Sequence, residues 1–269
     1  MYLCCKNNTT IIQRKTANFC QTATFLPDFS INQQKSVNNQ GNSLFLPDFK
    51  QDEIFLLSPV MPTYICILAP WSSGSSALAG FFHHCGAHTC PPHLFSNDER
   101  TLNTFESIAY RNQLHELIKI KFPNEDTCSF QPSTKRGDFE DFFSKWIQSQ
   151  SEIANNLNKT HIVLKHALQT FALNSITKFI EPKFIVLERP VEEIEKTRMR
   201  RNWTAEHGKL GAMSIYSETR DYFDRTKTAH FPVSFDEFRK KEKTREDLLR
   251  FCEMSPHIDQ LTNANHFLR

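Results

Sequence analysis

Glycine is scarce, at 7 of 269 residues, which argues against a loop-rich scaffold and for packed helices and strands. Charge of one sign is not in excess either. The formal net charge is +2, so bulk electrostatics recommends neither nucleic acid nor a membrane surface as partner. The 8 cysteines show no evenly spaced framework. Cys66 falls in an expected strand and Cys252 in an expected amphipathic helix, where free thiols act as small hydrophobes. A reducing, cytoplasmic setting follows as the expectation. A long membrane-spanning run is missing too. The uncharged stretch from Ile54 to Trp71 is broken by Pro59, Pro62 and Pro70, and its last part is needed as a strand. The segment from Lys6 to Lys15 is polar and offers no signal-peptide core, so the sequons at Asn8, Asn158 and Asn202 read as chance tripeptides.

What is present is a large apolar content. Hydrophobic residues make up 39% of the chain and phenylalanine alone contributes 24, enough for one substantial core. Residues 1–60 differ from the rest. They are rich in Asn, Gln, Thr and Ser, lack periodicity, and repeat Phe25-Leu-Pro-Asp-Phe29 as Phe45-Leu-Pro-Asp-Phe49. Such a composition does not offset the entropy of ordering, so a disordered or loosely attached leader is expected there, with an α/β domain over residues 61–269.

Within that domain strands and helices alternate. Ile65–Ala69, His161–Leu164, Lys183–Leu187 and Phe231–Phe235 read as strands. Gly74–Cys85, Thr104–Ile120, Asp138–Leu157, Leu168–Ile180, the segment after Pro190, and Ala212–Asp224 read as helices. Thr244-Arg-Glu-Asp247 resembles a capping box before another helix. The alternation predicts a parallel β-sheet flanked by helices on both faces, with ligands beyond the carboxyl ends of the strands.

The first strand runs into Trp71-Ser-Ser-Gly-Ser-Ser-Ala77. A strand, tight turn and helix start present unpaired backbone N–H groups and the positive end of the helix dipole, which suits an oxyanion. Gly74 lets the backbone approach the anion, and the hydroxyls of Ser72, Ser73, Ser75 and Ser76 add donors. The loop lacks the Lys-Ser or Lys-Thr pair of a Walker A motif. The plain alternative is a Ser/Gly turn feeding a core helix. A second site is marked by Arg189 at the end of a strand and Thr197, 8 positions on. A guanidinium and a hydroxyl so placed can grip one phosphate, although Arg189 could instead pair with Glu192 or Glu193.

Together these features resemble sulfotransferases that use 3′-phosphoadenosine-5′-phosphosulfate (PAPS), with a P-loop NTPase-like three-layer α/β/α fold. Ser73-Gly-Ser-Ser-Ala-Leu-Ala-Gly80 is similar to the loop of bacterial carbohydrate-type members. Arg189-Pro and Thr197 resemble the 3′-phosphate grip. Phe105-Glu106 with Asn112 and Leu114 resembles the family's Phe-Glu…Asn-x-Leu pattern, and Leu164-Lys165-His166 its Leu/Trp-Lys-Asp-Pro element. The resemblance implies sulfuryl transfer from PAPS, releasing PAP, to a hydroxyl or amine of a glycan or other small acceptor, with no metal. It implies Ser72 to Ala77 on the 5′-phosphosulfate, Lys165 stabilising the transferring charge, Glu106 as general base on the helix after the loop, and Arg189 with Thr197 on the 3′-phosphate.

Two departures stand out. Many relatives carry Arg or Lys where this chain has Ser72, which leaves Lys165, or Arg200 and Arg201, to neutralise the leaving phosphate. His166 and Ala167 replace an acid and a proline. The competing readings are a P-loop kinase or NTPase, a non-catalytic nucleotide-binding member of the fold, and a zinc site among His83, His84, Cys85, His88, Cys90 and His93, whose spacing fits no closed finger.

Overall fold

The computed structural model describes residues 61–124 and 126–268. The expected leader and its two repeats lie outside them. The chain runs β1 (Thr63–Leu68), α1 (Ser75–His84), β2 (His93–Phe95), β3 (Asn103–Ser107), α2 (Ile108–Leu117), β4 (Ile118–Asn124), β5 (Thr127–Pro132), α3 (Arg136–Asn156) and β6 (His161–Lys165). A 3₁₀ turn (Ala167–Ala172) leads into α4 (Leu173–Ile176), β7 (Pro182–Glu188) and α5 (Val191–Arg201). A second 3₁₀ turn (Ala205–His207) precedes α6 (Lys209–Thr226), β8 (His230–Ser234), α7 (Phe235–Lys240), α8 (Glu242–Phe251) and α9 (Ile258–Phe267).

A 4-stranded parallel sheet in the order β6-β1-β7-β8 forms the middle layer. Its two central strands carry unbroken apolar runs, Tyr64–Leu68 in β1 and Phe184–Leu187 in β7, because both faces are covered there. Tyr64, Cys66 and Leu68 point to one face, where Phe139, Phe143, Leu173 and Ile215 from α3, α4 and α6 pack. Ile65 and Ile67 point to the other, against Leu78, Phe81, Leu248 and Ala264 from α1, α8 and α9. The exposed edge of β6 is partly paired by the segment after α1: His88 N donates to His161 O at 2.8 Å and Val163 N to His88 O at 2.8 Å.

All four strands run the same way, so their carboxyl ends meet at one edge. β1 leads there into the serine loop, β6 ends on Lys165, β7 is followed by Arg189, and β8 by Phe235. This gathering of sequence-distant residues is what positions the site.

Several expectations need correction. Thr104–Ile120 is not one helix. Its start is β3, paired antiparallel with β2, and its end is the first strand of the β4–β5 hairpin. Phe105 takes φ 53, which ends any helical reading there and turns its ring into the core beside Phe267. Glu106 therefore stands on a strand rather than on a helix. Leu168–Ile180 splits into a 3₁₀ turn and the short α4. The Thr244 capping box does not form, since α8 already starts at Glu242 with Lys241 as its N-cap. The two hairpins and α9 were not foreseen.

Phe143 is fully buried and packs against Tyr110, Phe139, Trp146 and Phe179. Phe143→Ala should cost about 3–5 kcal/mol of folding stability, read as a lower urea midpoint with an unchanged slope.

Candidate functional site

The loop after β1 is shaped by two residues with positive φ, Ser72 at 62° and Gly74 at 97°. Ser73 Oγ donates to Pro70 O at 2.7 Å and closes the turn. Gly74 O accepts from Ala77 N at 2.9 Å, which starts α1. No side chain caps this helix, so the amides of Ser75 and Ser76 are left open toward the cavity. Ser72 Oγ is buried and has no hydrogen-bond partner among the described residues. A Cβ on Gly74 would run into the Phe235 ring, so glycine is favoured by both space and backbone angle.

Arg189 joins this loop to β7. Its Nη1 donates to Ser72 O at 2.8 Å and to Thr197 Oγ1 at 3.3 Å. Its backbone is fixed by Tyr216, whose hydroxyl accepts from Arg189 N at 2.9 Å and donates to Arg189 O at 3.2 Å. The guanidinium lies 5.2 Å from the centre of the Phe235 ring, and Arg239 lies 5.8 Å from the same ring. Neither Glu192 nor Glu193 holds Arg189. Thr197 donates to Glu193 O at 2.9 Å, which leaves its oxygen positioned to accept.

Lys165 and Glu106 meet on the opposite side of the loop. Lys165 Nζ donates to Glu106 Oε1 at 2.7 Å, to Ser76 Oγ at 3.3 Å and to Thr104 O at 3.2 Å. The two side chains are only 6% and 7% exposed. Burial opposes the charge on Glu106, but the Lys165 ammonium, helped by Arg111, outweighs it and holds the carboxyl below its ordinary value. The strand bend that aims Glu106 inward is kept by side-chain bonds: Phe105 N donates to Asn103 Oδ1 at 2.8 Å and Glu106 N to Thr104 Oγ1 at 3.3 Å.

His166, which follows Lys165, is not a stand-in acid. Its Nδ1 accepts from Leu168 N at 3.1 Å and caps the 3₁₀ turn. Burial pushes its pKa down to about 3, so the ring is neutral and packs edge-on against Trp71.

Arg200 and Arg201 do not turn to the serine loop. Arg200 forms a bidentate pair with Asp98 at 3.1 and 2.9 Å, and Arg201 bonds Asp98 and Thr101. This latch ties the β2–β3 loop to the end of α5 along the cavity wall. Sequence reasoning missed Asp98, Trp71, Tyr216 and Phe235. Only Phe235, one residue beyond the last strand, carried a positional signal.

Ser72, Ser76, Glu106, Lys165, Arg189 and Thr197 all border one cavity of about 1370 Å³. That exceeds the ordinary range of about 300–1,000 Å³ for a single small-molecule pocket and leaves room for two ligands side by side. The histidines of the zinc alternative are turned to other partners: His83 to Thr89 Oγ1, His88 to Gln150 Oε1 and His93 to Thr89 O. Among the described residues no three His, Cys, Asp or Glu side chains are grouped to hold a metal. No helix among them is long and apolar enough to cross a membrane.

No family model and no curated protein matches the chain. Among solved structures, the sulfotransferase domain of the olefin synthase of Synechococcus PCC 7002 is similar to it. That domain shares 16% identity at a TM-score of 0.45, over 76% of this chain and 78% of that one.

Gly74→Ala should destabilise the fold by about 2 kcal/mol or more, from backbone strain and displacement of Phe235, visible as a lowered thermal midpoint. His166 makes a separate prediction. The unfolded ring ionises near 6.5 and the folded one near 3, so the unfolded chain binds the extra proton between those values. Stability is full above pH 6.5 and falls as pH drops toward 3. His166→Asn keeps a cap acceptor but cannot titrate, and should reduce the slope of stability against pH by about one proton between pH 6.5 and 5 in urea titrations.

Proposed function

We propose that the chain is a sulfotransferase that moves a sulfuryl group from PAPS to a hydroxyl or amine of a small acceptor, with a glycan as the acceptor class the loop motif favours. The observation that carries this reading is the contact of Arg189 with Ser72 O. It brings Arg189 against an open helix N-terminus, which supports a reading in which one nucleotide with two phosphates reaches both, its 3′-phosphate taken by Arg189 and by Thr197 once that hydroxyl turns from Glu193 O. The donor set suits such a ligand. The Ser75 and Ser76 amides open the first turn of α1, and Nε and Nη2 of Arg189 have no hydrogen-bond partner among the described residues.

On this reading the protein does little covalent work, and orientation and charge stabilisation supply the rate. Glu106 accepts the proton of the attacking hydroxyl as its oxygen forms a bond to sulfur. Lys165 and the α1 N-terminus stabilise the negative charge that passes to the 5′-phosphate as the sulfur–oxygen bond to it breaks. PAP and the sulfated acceptor leave. Ser72 in place of the usual loop cation removes one stabilising charge, and this favours a second reading in which the chain binds the nucleotide without turnover.

Turnover of PAPS to PAP with a panel of hydroxylated acceptors tests the proposal. Lys165→Ala and Glu106→Ala should each lower transfer about 10²-fold or more, and Arg189→Ala should chiefly raise the KM for PAPS. PAP binding by wild type with no transfer to any acceptor selects the non-catalytic reading. Unchanged transfer in both the Lys165 and Glu106 variants contradicts the assigned roles.

A further inference from the structure

The ammonium of Lys165 carries three N–H donors, and each already has an acceptor: Glu106 Oε1, Ser76 Oγ and Thr104 O. Nothing is left with which to meet an anion. Yet Ser76 belongs to the open first turn of α1, so an anion bound there lies beside Nζ. One of the three bonds has to yield. Thr104 O is backbone, held by the bend at Phe105 and its supporting bonds. Ser76 is part of the anion cradle itself. Glu106 is the acceptor on a side chain with rotatable bonds, and it is the one that carries negative charge. Two anions sharing one ammonium in a buried place repel each other strongly.

Resting on the sulfotransferase reading above, we infer that Glu106 is the internal counter-ion of Lys165, and that the 5′-phosphate end of the nucleotide must displace it before it becomes free to act as a base. Lys165 swings its proton from Glu106 to the phosphate, and Glu106, still bordering the cavity, is left facing the acceptor side near Arg111 and His115. The pair therefore imposes an order. Nucleotide binds first, and an acceptor that arrives earlier meets a carboxylate already engaged. It also makes Glu106 a competitor of the nucleotide.

Calorimetric titration with PAP tests this without any acceptor. Glu106→Gln keeps the shape of the side chain but removes the competing charge, so the folded variant should bind PAP about tenfold tighter or more than wild type, although it loses transfer. Equal or weaker PAP binding by folded Glu106→Gln overturns the inference and leaves the sulfotransferase reading standing. A crystal structure of wild type with PAP needs no variant. It should show Lys165 Nζ on the 5′-phosphate and beyond hydrogen-bond distance of Glu106, and an intact pair in that complex also overturns the inference. If wild type does not bind PAP, the functional reading itself fails and this inference with it.

Discussion

The hydrogen bond from Arg189 Nη1 to Ser72 O connects the two halves of the site. Ser72 belongs to the loop after β1 and Arg189 to the residue after β7, and these strands are neighbours in parallel register. Parallel pairing makes their ends coincide, and the guanidinium closes the gap between them. Phe235, beyond β8, packs under both the guanidinium and Gly74. The loop conformation, the direction of Arg189 and the opening of the α1 N-terminus thus depend on one another.

Charge is distributed with the same economy. The buried Lys165–Glu106 pair is neutral as a unit, which lets two ionised groups sit at the sheet edge without a lone buried charge. Asp98 offsets only part of the charge of Arg200 and Arg201, and these arginines hold its carboxyl well below the usual carboxylate range, the Arg200 hydrogen bonds most of all. Around the cavity the α1 amides, Arg189, Arg239, Arg111 and Arg100 have no acidic partner among the described residues. The cavity is therefore positive where the loop and β7 meet.

The central strands and α3 could be read from the sequence because burial on both sheet faces gives unbroken apolar runs, and a long helix gives a sustained 3.6-residue rhythm. Arg189 and Thr197 could be read as a pair because two helical turns separate them. The peripheral hairpins could not. Ile118-Lys-Ile-Lys alternates as a strand should, but the signal is four residues long and abuts a helical pattern of similar apolar content. The bend at Phe105 was equally hidden, since a positive φ is rare at a phenylalanine and here rests on the Asn103 and Thr104 side-chain bonds together with packing against Phe267. The same holds for the meeting of Lys165 with Glu106, 59 residues apart, and for Asp98 with its arginines, where the contact exists only once the sheet has brought the loops together.

The central claim is that one adenosine nucleotide spans both phosphate grips. Binding of PAP measured beside adenosine 5′-monophosphate and adenosine 3′-monophosphate, on wild type and on Arg189→Ala, addresses it directly. The account predicts that wild type binds PAP far more tightly than either monophosphate, and that Arg189→Ala reduces PAP to the level of the 5′-monophosphate. Equal affinity of wild type for PAP and for the 5′-monophosphate would contradict it.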